Sequence, residues 1–196
     1  MMPELSLNVL DVAENCIRAC AKEVVVEIEV SLPDNTLTIT IADDGHGMEE
    51  AVLQQVTDPF YTTRTTRKVG LGIPFFKQAS EMTGGSFKIT SSTGENSGTR
   101  ICAVFVLNHI DRMPLGDMPS TMHTLITMHE DVRWRYRFQV LGQRDTKAIS
   151  FALDTGEMRA LLGDISFTEP EVSAYLMEYL RENTKEVMEQ AGIEGL

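Results

Sequence analysis

With 196 residues, 42% apolar and 23% charged, and no low-complexity tract, the chain has the composition of an ordered globular protein with material for one large core or two small ones. Its 17 basic and 29 acidic residues give a net charge of −12, split as 8 against 14 up to His109 and 9 against 15 beyond it, so neither half concentrates the positive charge that nucleic acid or anionic lipid requires. No apolar run approaches the ~18 residues of a membrane span and no cationic leader precedes an apolar core, so we expect no nucleic-acid partner, no membrane and a cytoplasmic location.

Residues 5–22 place Leu10, Ala13, Ile17 and Cys20 at helical spacing, and VVVEIEVS and LTITIA then alternate as two strands on either side of Pro33-Asp34-Asn35. After DDGHGM comes a short helical stretch, EEAVLQQV, followed by the polar segment from Asp58 to Gly72 and a second helix that runs through Met82 and stops at Gly84-Gly85. Strands are expected near 86–92 and 100–107. Helices and strands in this order predict an α+β fold, an α/β sandwich with helices on one face of a mixed sheet. Residues 109–122, with two prolines and little periodicity, read as a linker between a unit at 1–108 and a small α+β unit at 123–196. The second unit reads as strands near 123–130, 133–141 and 147–153, a helix near 155–163 and a last helix near 169–191, with Thr168-x-x-Glu171 as a capping box and Gly192 as the stop. In the middle strand Trp134, Tyr136 and Phe138 alternate with Arg133, Arg135 and Arg137, the pattern of a half-buried sheet. The three cysteines, Cys16, Cys20 and Cys102, include no Cys-x-x-Cys pair; Cys16 and Cys20 are spaced for one side of a helix and read as small buried residues.

Four segments carry candidate chemistry. On the first helix Asp11, Asn15, Arg18 and Lys22 fall on one stripe at ~100° per residue, where a solvated face accounts for the charged members but less well for an asparagine. Asp43-Asp44-Gly45-His46-Gly47-Met48 follows a strand directly: the glycines allow close approach of a flat ligand, and a carboxylate there can accept from an exocyclic amine. An Asp/Gly turn needs no ligand, and His46 reads as a surface turn residue. Between Asp58 and Gly72, Arg64, Arg67 and Lys68 supply local positive charge, four threonines supply hydroxyls, and Gly70-Leu71-Gly72 opens a helix whose N-terminus favours phosphate; a plain surface loop reads the same way. No G-x-x-x-x-G-K-[ST] loop is present. Ser97-Gly98-Thr99 opens the last strand of the first unit.

In this order and at this spacing, the four segments resemble the N, G1, G2 and G3 boxes of the GHKL superfamily, which includes gyrase-type ATPases, heat-shock chaperones, histidine kinases and mismatch-repair ATPases. The resemblance covers about residues 5–108 and implies the Bergerat-type sandwich with ATP and Mg2+ as cofactors. It matches Asn15 to the magnesium ligand that bridges to the triphosphate, and Asp11 to the carboxylate that polarises water. Asp43 matches the aspartate that bonds the adenine amino group, Gly45 and Gly47 line the base, and Thr99 assists there. Arg18, Lys68, Gly70, Leu71 and Gly72 fall on the phosphate side, and Asp58-Pro59-Phe60-Tyr61 resembles the histidine-kinase F box. Lys68 stands where kinases commonly carry a further glycine, and Asp11 where gyrase-like members prefer Glu. The residues before Asn15 leave no room for a helical hairpin bearing a phosphoacceptor histidine, so a protein other than an ordinary two-component kinase is expected. Two functions fit: transfer of the γ-phosphoryl to water or to a partner protein, as in anti-sigma serine kinases, or a non-catalytic module in which ATP gates contact with a protein partner.

Overall fold

The computed structural model describes residues 4–58, 72–142, 148–193 and 195–196. Helix α1 (Leu5–Arg18) leads into strands β1 (Glu23–Ser31) and β2 (Thr36–Asp43), a single turn α2 (Glu50–Leu53), helix α3 (Gly72–Met82) and strands β3 (Ser86–Ser92) and β4 (Gly98–Val106). Helix α4 (Met118–Met128), strands β5 (Arg133–Leu141) and β6 (Ile149–Asp154), and helices α5 (Thr155–Leu162) and α6 (Pro170–Gln190) complete the chain. The strands form one mixed sheet in the order β3-β4-β2-β1-β5-β6, antiparallel throughout except where β5 lies parallel to β1.

Period-two alternation becomes a two-faced sheet because the register aligns the apolar positions across strands. Phe151, Phe138, Ile28, Ile39, Ala103 and Phe87 form one continuous cross-strand row. Phe138, Ile28, Ile39 and Ala103 are fully buried at its centre. The adjacent row on the other face, Ala152, Arg137, Glu27, Thr40, Cys102 and Lys88, is mostly polar. The alternation of Trp134, Tyr136 and Phe138 with three arginines is the same division: the aromatics are buried and the arginines exposed.

The strands of both units expected from the sequence, 1–108 and 123–196, belong to this single sheet. Part of the segment read as a linker lies against α1, where the amides of Leu5 and Ser6 donate to the carbonyls of Pro114 and Leu115 at 2.9 and 2.8 Å, and Leu115 and Met118 are buried.

Three local expectations are corrected. Residues 123–130, read as a strand for their threonines and aliphatics, lie largely within α4, whose N-cap Asp117 accepts from the Ser120 amide at 2.9 Å and which buries Met118, Met122, Leu125 and Ile126 along one side. Helix α1 ends at Arg18, so Lys22 and Cys20 lie beyond it and Cys20 is exposed with φ +58°; the buried stripe is Leu5, Val9, Val12, Ala13 and Cys16, so of the expected apolar positions Ala13 is buried while Leu10 and Ile17 pack half-buried at its edge. The capping box at Thr168 does not form: Glu169 is the N-cap with no side-chain bond, and Pro170 occupies the first helical position.

Candidate functional site

The helix-facing rows of the sheet change character toward one end. Past the row of Ile39, Ala103 and Phe87 comes Ile41, Ile101 and Ile89, and past that Asp43, Thr99 and Ser91. The same alternation that builds the core therefore ends in a polar row across β2, β4 and β3. The residues after Asp43 turn back over this row, held by several bonds: the Gly45 amide donates to Asp43 Oδ1 at 2.9 Å, the His46 amide to the Ala19 carbonyl at 2.9 Å, and the Met48 amide to Ser91 Oγ at 2.8 Å. Asp44 points the other way, accepting from the amides of Lys22 and Glu23 at 2.7 and 2.9 Å, which ties this loop to the start of β1.

Two glycines make the closeness feasible. A Cβ on Gly47, whose φ is +68°, would lie 1.8 Å from the Ser92 carbonyl oxygen, and one on Gly45 would meet Ala19 and Asp43 within 2.9 Å.

Between this loop, α1 and the start of α3 lies a cavity of about 590 Å³, a size suited to a mononucleotide-scale ligand. Its walls are apolar where Val12, Cys16, Ile41, Ile73 and Ile101 meet, with Asp43 and Thr99 among its polar lining and Asn15, Arg18 and Gly72 on the α1 and α3 walls. The Arg18 guanidinium donates to Asn15 Oδ1 at 2.9 Å. Burial pushes the Cys16 thiol well above the usual cysteine range, and the neighbouring Asp43 carboxylate adds to the shift, so Cys16 is a neutral apolar wall and not a nucleophile.

Of the site residues expected from the sequence, Asn15, Arg18, Asp43, Gly47, Gly72 and Thr99 line this one cavity. Gly45, in the same loop, packs against Ala19 and is not part of the lining, and Asp11 approaches the start of α3, where a Cβ on Gly72 would lie 2.3 Å from its Oδ2. Lys68, Gly70 and Leu71, with Arg64, Arg67 and the 59–61 part of the F-box-like segment, fall outside the described residues. His46, read as a plain turn residue, is exposed but lines the cavity. Ser91, which braces both Thr99 and Met48, does not stand out in the sequence; its place two residues past Ile89 in an alternating strand is the available signal.

Residues 3–109 match the family model described as "Histidine kinase-, DNA gyrase B-, and HSP90-like ATPase". The chain belongs to that family. It carries an ATPase domain of the histidine-kinase type, and the α+β fold is that of this superfamily. The chain is 36% identical over 59 residues to the sensor protein kinase FleS of Pseudomonas aeruginosa, covering 30% of this chain and 15% of that protein. It is 32% identical over 88 residues to sporulation kinase C of Bacillus subtilis, covering 45% and 20%. The chain thus spans no more than a fifth of the length of either kinase. Among solved structures, the N-terminal domain of a DNA repair protein shares the fold with a TM-score of 0.56 at 12% identity, over 78% of this chain and 53% of that one. No helix among the described residues is long and apolar enough to cross a membrane.

Proposed function

We propose that the cavity binds Mg·ATP, with the adenine against Asp43 and Thr99 and the phosphates toward Asn15, Arg18 and the N-terminus of α3. The observation that carries this reading is that a carboxylate-hydroxyl pair on the sheet end and an asparagine-arginine pair on α1 line one cavity with apolar walls between them. The walls suit a purine, and Asp43 suits its exocyclic amine. The amides at the start of α3 and the Arg18 guanidinium favour anionic oxygens.

Magnesium fits as a companion of the triphosphate. Among the described residues no cluster of three or more His, Cys, Asp or Glu stands ready to hold a metal. A single carboxamide oxygen from Asn15 is the kind of contribution Mg2+ accepts when phosphates and water supply the remaining ligands. Asp43→Ala tests the base assignment by calorimetry: wild type is expected to prefer ATP to GTP by roughly 5- to 150-fold, the value of one buried acceptor left unpaired, and the variant to lose that preference. Equal wild-type affinities for the two nucleotides overturn the orientation.

Once ATP is bound, two outcomes fit: phosphoryl transfer to water or to a hydroxyl or imidazole on a partner protein, with Asp11 as general base, or nucleotide-gated contact with a partner without turnover. The Asp11 carboxylate lies against Gly72, where it is suited to anchoring the first turn of α3 as well as to activating water, so its position accommodates both outcomes.

A further inference from the structure

We propose that Ser91 is a positioning residue that fixes the proton of Thr99 and thereby makes this end of the cavity select 6-amino over 6-oxo purine nucleotides; this rests on the assignment of the cavity to a nucleotide. Ser91 is the third member of the polar row, behind Thr99 as seen from the cavity. Its Oγ accepts from the Met48 amide at 2.8 Å, donates to the Gly98 carbonyl at 2.9 Å and lies 2.9 Å from Thr99 Oγ1.

A hydroxyl has one proton, and a carbonyl oxygen can only accept. We place the Ser91 proton in its bond to the Gly98 carbonyl, which can only accept; either hydroxyl can donate in the Ser91–Thr99 bond, and with that placement the donor is Thr99. Thr99 then presents lone pairs alone to the cavity it lines. Directly opposite in register is Asp43, whose carboxylate is a second acceptor. Of the loop amides, those of Gly45, His46 and Met48 are already committed, to Asp43 Oδ1, Ala19 and Ser91 in turn. The side chains of Asp43 and Thr99 therefore present two acceptors, which matches an exocyclic amine with two protons and opposes a carbonyl oxygen. Without Ser91, Thr99 is free to rotate its proton toward the ligand, and a 6-oxo group then finds a donor.

The test is calorimetric titration of ATP and of ITP, whose base carries a 6-oxo group and an N1–H where adenine carries a 6-amino group and an unprotonated N1, into wild type and variants. Wild type is expected to prefer ATP by about 5- to 150-fold. Ser91→Ala is expected to shrink the ratio at least about fivefold by restoring a donor that ITP can use. Ser91→Thr, which keeps the hydroxyl, should hold the wild-type ratio. Ser91→Cys, with a poor donor and acceptor at similar volume, should behave as the alanine variant and supplies the test if that one does not fold. In a Thr99→Val background, Ser91→Ala should have no further effect on the ratio, since the residue through which Ser91 acts is gone. An unchanged ratio in Ser91→Ala overturns the proposal, as does an equal loss in Ser91→Thr, which would mark Ser91 as a packing residue. A wild type that binds ATP and ITP equally overturns it while leaving nucleotide binding standing; one that binds neither overturns both.

Discussion

Gly47→Ala measures how much of the site depends on the loop lying flat against the sheet. The substitution adds one methyl, but its Cβ would fall 1.8 Å from the Ser92 carbonyl oxygen and 2.7 Å from the Ser92 carbonyl carbon. Both are backbone atoms, so no rotamer change relieves the clash, and the loop or the end of β3 must withdraw by roughly 1 Å or more to reach ordinary contact distance. The residue also has φ +68°, which costs an alanine roughly 1–2 kcal/mol. Withdrawal breaks the 2.8 Å bond from the Met48 amide to Ser91, worth about 0.5–1.5 kcal/mol. If the free protein relaxes by lifting the loop, binding must restore it, so a total of roughly 1.5–3.5 kcal/mol appears as a loss of ATP affinity of about 10- to 400-fold. The unfolding midpoint should change little, because the buried rows of the sheet lie beyond the loop. Calorimetry with ATP, paired with a thermal melt, reads both quantities. Gly47→Asn separates the two causes: asparagine tolerates positive φ but keeps the clash, so it should regain at most the φ part of the loss and still bind ATP more weakly than wild type. An alanine variant that binds ATP within about threefold of wild type refutes the reasoning, and an asparagine variant that recovers wild-type affinity refutes the steric part of it.

Asn15→Ala should abolish the gain in ATP affinity that magnesium confers while leaving the fold intact, checked by titrations with and without Mg2+; an unchanged gain would reduce the α1 stripe to a solvated face. Asp11→Asn should keep ATP binding within a few-fold and cut turnover by roughly 10²–10⁴ if Asp11 is the base, so a variant that hydrolyses ATP as wild type does removes it from the chemistry. Glu130 accepts from Ser166 Oγ at 2.5 Å, Arg159 at 3.0 Å and the Phe167 amide at 3.1 Å, and these bonds, led by that from Ser166, hold its carboxyl down to about 2. Since the folded value lies below the ordinary 4.5, its contribution to stability is complete above that pH and disappears as pH falls through about 2. Glu130→Gln should therefore lower stability in urea melts at pH 7 by about 1–2 kcal/mol after allowance for partial exposure, with the gap closing in acid. A gap independent of pH would reject the charge-based account.

How far the sequence discloses this molecule depends on whether the deciding interaction is local. The alternation in 24–31, 37–42 and 133–138 yields strands with the observed inward residues because each position needs only its neighbours. Helix α4 is misread as a strand although Asp117, Pro119 and Ser120 mark its start, since the threonines and aliphatics of 121–127 favour a strand until their i, i+4 burial is weighed against alternation. The pairing of β1 with β5 joins residues 110 positions apart, Glu23 with Arg133, and no local pattern announces it. The site behaves in the same way. Asp43, Gly47 and Thr99 are legible through their order and spacing, whereas the partnership of Ser91 with Thr99 exists only in the register of β3 on β4.

That register has a physical pin. A Cβ on Gly98, whose φ is +150°, would lie 2.2 Å from the Asp43 carbonyl oxygen, so β4 can approach the end of β2 only with glycine at this position. A slip of one residue in either direction would bring Thr99 or Ser97 into that contact and turn the Thr99 hydroxyl to the opposite face of the sheet, away from both Asp43 and Ser91. Gly98 thus does for this end of the cavity what no polar residue there can do for itself: it sets which face Thr99 occupies, and the placing of Thr99 opposite Asp43 follows from the strand alignment it permits.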